Sequence, residues 1–133
     1  MILEFLDGDQ LNVNAIFGGP RLISGVMRDT LRIEVDPKTI SFDDLKNKFK
    51  DNPNVAKLYT YSESVDPEGK VNAVKTEMGE GYKIFVSISD EERHVQQVPG
   101  KLAPAVTEEV YIVTIAQQTY EEFLLEQMEK SSN

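Results

Sequence analysis

The sequence predicts an α+β domain: a mostly antiparallel β-sheet with a short middle helix and a C-terminal amphipathic helix packed on one face. Three observations predict it. Apolar residues alternate with a period of two in several separate stretches. Only two stretches carry a helical period, one central and one terminal. Strands and helices do not alternate as βαβ units would, so an antiparallel sheet covered by its helices is the simplest solution. The 133 residues fit a single domain spanning 1–133. A chain of this length buries roughly two-thirds of its unfolded surface and needs no metal or disulfide to hold together.

Leu3 and Phe5, then Leu11, Val13, Ala15 and Phe17, alternate on either side of Asp7-Gly8-Asp9. Asp-Gly suits the positive φ of a tight turn, so this is a β-hairpin. Gly18-Gly19-Pro20 is expected to stop the second strand, and Arg21 to Met27 to form a short strand or bend interrupted by Gly25. Leu31, Ile33 and Val35 form a half-buried strand ended by Asp36-Pro37. Ser41-Phe42-Asp43-Asp44 has the form of a capping box, and Phe42, Leu45 and Phe49 share a helical face, so a helix runs from about Phe42 to Lys50. Asn52-Pro53-Asn54 breaks it, and Val55 to Ser62 is strand-like. Glu63 to Glu80 reads as a long hairpin loop or mobile arm, with Val71 to Lys75 able to pair. Tyr82, Ile84, Val86 and Ile88 alternate as a strand. Ser89 to Thr107 reads as an extended connection. Val110 to Ala116 is apolar on both faces, which suits a strand covered on both sides. The last helix has Thr119 as its N-cap and Glu121 and Glu122 at the positive end of its dipole. Tyr120, Phe123, Leu124, Gln127 and Met128 share its apolar face, while Glu122, Glu126 and Glu129 lie off it. That face is expected on the chain's own sheet, with docking into a partner as the alternative. Residues 131–133 are expected to fray.

Net charge is −9, with no cluster of basic residues. This disfavours binding to nucleic acid or to an anionic membrane, both of which attract Lys and Arg. No apolar run approaches the roughly 20 residues of a spanning helix. Met1 to Gly8 is acidic and lacks the basic and apolar regions of a signal peptide. Cysteine is absent, which removes disulfides, thiolate metal sites and thiol nucleophiles.

Few residues offer chemistry. His94, the single histidine, lies beside Glu91 and Glu92, but one imidazole cannot supply a multi-histidine site, and it reads as a loop residue. Asp7 and Asp9 lack the further oxygen ligands of a calcium loop and read as turn residues. Phe17-Gly18-Gly19-Pro20-Arg21 lacks the following helix and Lys-Ser/Thr pair of a phosphate loop. Arg28-Asp29 is either a substrate clamp or, more simply, a local ion pair or turn cap. No serine sits in a Gly-x-Ser-x-Gly elbow. Acidic pairs abound, so a carboxylate-dependent hydrolase stays open, though the chain is small for a sugar cleft. No catalytic residue, cofactor or metal is assigned.

Several stretches carry a resemblance. They are the hairpin ending in Phe17-Gly18-Gly19-Pro20-Arg21, Gly25-Val26-Met27-Arg28-Asp29-Thr30-Leu31, and Ser41-Phe42-Asp43-Asp44-Leu45. Gly81-Tyr82-Lys83-Ile84-Phe85-Val86-Ser87 and Val113-Thr114-Ile115-Ala116-Gln117-Gln118-Thr119-Tyr120 complete the set. Together they resemble short proteins encoded in the tail and baseplate gene modules of phages and prophages of Gram-positive bacteria. The resemblance implies a non-enzymatic structural or assembly protein, made in the bacterial host cytoplasm and either incorporated into the virion or acting in its assembly. Its partners would be phage tail proteins or further copies of itself. Arg28, Asp29, Tyr120 and Phe123 are the candidate partner contacts. A carbohydrate-binding module is the alternative, with Tyr59, Tyr61, Tyr82 and Tyr111 as stacking faces.

Overall fold

The computed structural model describes residues 1–95 and 106–131. Seven strands, β1 (Ile2–Phe5), β2 (Gln10–Ile23), β3 (Val26–Val35), β4 (Ala56–Val65), β5 (Val71–Met78), β6 (Ile84–Val95) and β7 (Val106–Ala116), form one sheet in the order β5-β4-β1-β2-β3-β7-β6. Every neighbouring pair is antiparallel. Two helices complete an α+β fold: α1 (Phe42–Phe49) in the middle and α2 (Tyr120–Ser131) at the C-terminal end.

The sheet curls around its core. β5 and β6 are its outer edges, yet a short crossing, from Met78 to Ile84, joins them. Six strand spacings would separate the edges by about 29 Å in a flat sheet. The connecting chain reaches at most about 21 Å. The crossing therefore runs over the concave face, where Gly79, at φ +74°, lies against Leu31. Tyr82 of the same crossing packs edge-on to Phe17, with centroids 5.8 Å apart.

Helix α1 fills the concavity. Ser41 Oγ accepts from Asp44 N at 3.1 Å, and Lys50, at φ +47°, caps the other end by donating its N–H to Lys46 O. Leu45 and Phe49 of α1 are buried against Leu3, Phe5, Val35 and Tyr111. Phe49 meets Phe5 of β1 at 5.4 Å and Phe85 of β6 at 6.4 Å, so one side chain touches both halves of the coiled sheet.

β7 is buried on both faces from Val110 to Ala116, as its two-sided apolar pattern predicts. Tyr111, Val113 and Ile115 join the core. Over the outer face, Arg93 of β6 reaches Glu34 of β3 at 2.7 Å, and Arg32 of β3 reaches Glu91 of β6 at 3.3 Å. β3 and β6 flank β7, so both ion pairs span it, and their aliphatic stems shield residues such as Ile112.

Four expectations are corrected. Gly18-Gly19-Pro20 does not stop β2. A bulge between Phe17 and Gly19, with Gly19 at φ +76°, lets the strand continue to Ile23. Pro20 is tolerated because the outer edge of β2 has no neighbour beyond Asn12 in the ladder. The segment from Glu63 to Glu80 is a paired hairpin arm more than a loop: Val71 to Lys75 pair as the sequence allows, and β4 and β5 run together from Leu58–Met78 out to Val65–Val71. Its turn is closed by Asp66, whose carboxylate accepts from Glu68 N and Lys70 N. Likewise β6 and β7 pair out to Val95–Val106, so 89–95 and 106–107 are strand, and His94 lies in β6 opposite Thr107. Residues 96–105 of that expected connection, and 132–133 of the expected frayed tail, lie outside the described residues. Finally, a bulge between Phe85 and Ser87 shifts the parity of β6, so Phe85 joins Ile88 and Tyr82 against the core.

Candidate partner-contact surface

The C-terminal end of β7 is held from two sides before α2 begins. Gln117 N donates to Asp29 O at 2.9 Å, and Gln118 N donates to Gly81 O at 2.9 Å. Thr119 and Glu122 then form a reciprocal capping box. Thr119 N donates to Glu122 Oε1 at 2.8 Å, and Glu122 N donates to Thr119 Oγ1 at 3.2 Å.

Glu122 has a second role. Arg28 of β3 grips it with both terminal guanidinium nitrogens, Nη2 meeting Oε2 at 3.1 Å, while Nη1 also donates to Gln117 O at 3.0 Å. The Arg28 side chain is only 9% exposed, and its Nε is buried without a hydrogen-bond partner. The Arg28 guanidinium, helped by the Thr119 N–H, holds the Glu122 carboxyl at about 2. The same contact raises Arg28 above its ordinary value. One turn on, Glu126 accepts from Lys83 at 2.8 Å, and Lys83 followed by Lys130 lowers its pKa.

Glu122 and Glu126 stand four residues apart and share a helix face. That acidic face is turned to the body of the protein. The apolar side chains are left out: Tyr120 is 73% exposed, Leu125 59% and Met128 65%. Phe123 and Leu124 are each 41% exposed. Phe123 alone of this set lines the shallow cavity of about 480 Å³ beside Tyr82 and Ile115. The expectation of a helix covering the sheet with its apolar stripe is thus met in part, at Phe123, and Glu122 and Glu126, read as lying off that stripe, are anchors.

The β2–β3 ribbon projects beside this helix. β7 pairs with β3 only as far as Thr30, so Gly19 to Asp29 extend past it. Ser24 and Gly25 close the tip with φ of +48° and +83°, the two positive values of a type I′ turn. Leu22 and Met27 are exposed at the tip, and Arg21 stands directly opposite Arg28. Met27, Arg28 and Tyr120 share the groove of about 330 Å³ between ribbon and helix.

The four expected contact residues are therefore brought together at one end of the sheet. Arg28 pairs with Glu122 and not with Asp29, which corrects the local ion pair. Asp29 contributes through its carbonyl. Tyr120 and Phe123 stack at 6.4 Å on the exposed side. The Thr-x-x-Glu spacing of Thr119 and Glu122 was the available signal for the anchor, and reading Glu122 only as a dipole partner misses it.

Elsewhere the candidate groups are accounted for by packing. Asp7 and Asp9 both bind Lys48, at 3.0 and 2.6 Å, and Asp7 Oδ1 accepts from Asp9 N, closing the β1–β2 turn. The four tyrosines do not converge. Tyr111 is buried, Tyr82 packs on Phe17, Tyr59 lies 4.0 Å beneath Lys75 Nζ, and Tyr61 is out on the β4–β5 arm. The perturbed carboxylates, Asp7, Glu122 and Glu126, are all driven down, the reverse of what a general acid requires. Among the described residues no group of three or more acidic or histidine side chains could hold a metal, and no helix is long and apolar enough to cross a membrane. Comparison of the chain with family models, curated proteins and solved structures returns no match.

Proposed function

We propose that this chain is a non-enzymatic structural or assembly protein of a phage or prophage tail, acting through protein–protein contacts. The observation that carries the contact role is α2, anchored by its carboxylates and presenting Tyr120, Leu125 and Met128 outward. Ordered apolar residues clustered on a surface are a feature of association sites. The resemblance across the Gly25–Leu31 and Val113–Tyr120 stretches supplies the phage setting, and those stretches contain Arg28, Asp29 and Tyr120 of this surface. The host cytoplasm is the location that goes with an assembly role, and the virion the one that goes with a structural role.

Mass spectrometry of purified virions and tail-assembly intermediates from the encoding phage tests the proposal. The expected result is the protein in one or both. Its absence from both would overturn the reading.

A further inference from the structure

The β2–β3 ribbon tip and α2 are chemically opposite. From Gly19 to Met27 the tip carries Arg21 as its single charge, with Ile23 and Val26 on the same face of the ribbon and Leu22 and Met27 on the other. On the outward side of α2 the exposed Glu121 stands beside Tyr120, Leu124 and Leu125, while Glu122 and Glu126 are turned inward onto Arg28 and Lys83. Arg21 faces Arg28 across the ribbon, a like-charge pair that is unfavourable in a sheet. Arg28 is relieved by Glu122, whereas neither Arg21 nor the exposed Glu121 has an ion-pair partner among the described residues.

The two elements also sit side by side, joined through Arg28. In a two-fold pair, any contact from one copy's tip to the other's helix is made a second time in reverse. We infer that this end of the sheet is an interface between two copies of the chain, with the basic apolar tip of each lying on the acidic apolar helix of the other. Arg21 then meets a second copy's Glu121, and Ile23 and Val26, which share its face of the ribbon, are covered by that copy's apolar helix side chains. The net charge of −9 makes two copies repel on average, and the Arg21–Glu121 contacts offset part of that repulsion in this orientation. This inference deepens the protein–protein reading and rests on it. A purely monomeric chain would remove the second copy and leave the virion assay to decide the tail role.

Sedimentation equilibrium of the full chain is the test. The expected result is a concentration-dependent monomer–dimer equilibrium. Val26→Asp, at a position 37% exposed beside the turn of the ribbon, shifts it to monomer. Arg21→Glu or Glu121→Arg each weakens the dimer about tenfold, because two pairs are reversed at once. The doubly swapped chain recovers the lost affinity. Val65→Asp, on the exposed β4–β5 arm, leaves it unchanged. A monomer at every soluble concentration would overturn the inference. So would a dimer indifferent to Val26→Asp, a double swap no tighter than either single change, or a larger ring or filament in place of the dimer.

Discussion

Replacing Glu122 by glutamine removes one charge and keeps the helix start. Glutamine at the N3 position still accepts from the Thr119 N–H, as in other capping boxes. The ion pair to Arg28 is what is lost. Arg28, with the Thr119 N–H, holds Glu122 at about 2 against an ordinary 4.5. That difference corresponds to about 3.4 kcal/mol before screening. More than a third of the Glu122 side chain meets solvent, with 37% exposed, so about half of the figure, ~1.5 kcal/mol, is the expected cost at neutral pH. The folded-state value is depressed, so this stability is fully present above about 4.5 and is lost as pH falls through about 2. Near pH 3 the same linkage leaves about two-fifths of it, or ~0.6 kcal/mol. Urea unfolding of both proteins at neutral pH and near pH 3, at one protein concentration, reads the two gaps. Equal stabilities at neutral pH would refute the reasoning. So would a gap of the same size at both pH values, since it would then owe nothing to ionisation.

Three further outcomes follow from packing. Ser41→Ala removes the acceptor for Asp44 N and should cost about 1 kcal/mol in the same unfolding assay. Gly18→Ala places a methyl 2.8 Å from Thr30 Oγ1 and should cost ~1–3 kcal/mol. Adding Thr30→Ala should return part of that loss, and strictly additive costs would show that the clash is not its source. Leu125→Gln, at a position 59% exposed, should change monomer stability by less than about 0.5 kcal/mol, and a loss above ~2 kcal/mol would mean that the chain itself covers this face.

Period-two alternation identified strands wherever one face is wet and the other dry. It worked for Leu31, Ile33 and Val35, and the two-sided pattern of Val110 to Ala116 marked a strand buried on both faces. It failed where strands run into arms. Val65, Val71 and Val74 are exposed at 48% or more, so no dry face imposes a pattern on the outer β4–β5 ribbon. Bulges defeated it in another way. One residue inserted near Val86 exchanges the two faces, so an unbroken series from Tyr82 to Ile88 picks out Val86 where the core takes Phe85. Gly18-Gly19-Pro20 has the composition of a stop, and only the missing neighbour of β2 lets it remain strand. Of the candidate surface, Arg28 and Tyr120 were legible as exceptional residues. The Arg28–Glu122 pairing was not, because 94 residues separate the partners and local spacing carries no trace of such a contact.

The inverted seating of α2 ties its stability to association. A helix of 12 residues is marginal alone in water and depends on tertiary contacts. Here those contacts include two ion pairs, Arg28–Glu122 and Lys83–Glu126, and the partial cover of Phe123. Apolar burial, the stronger force, is left to whatever covers the outer face. If a second copy covers it, the copy binds only the chain whose helix is already seated, and loosening the anchor taxes the dimer. Glu122→Gln should then weaken self-association although Glu122 points away from the interface. Leu125→Gln should weaken it with almost no effect on the monomer. Sedimentation of both variants beside their unfolding curves separates the two routes. A Glu122→Gln chain that unfolds more easily yet dimerises as tightly as the parent would show that α2 does not need its anchor in order to be recognised.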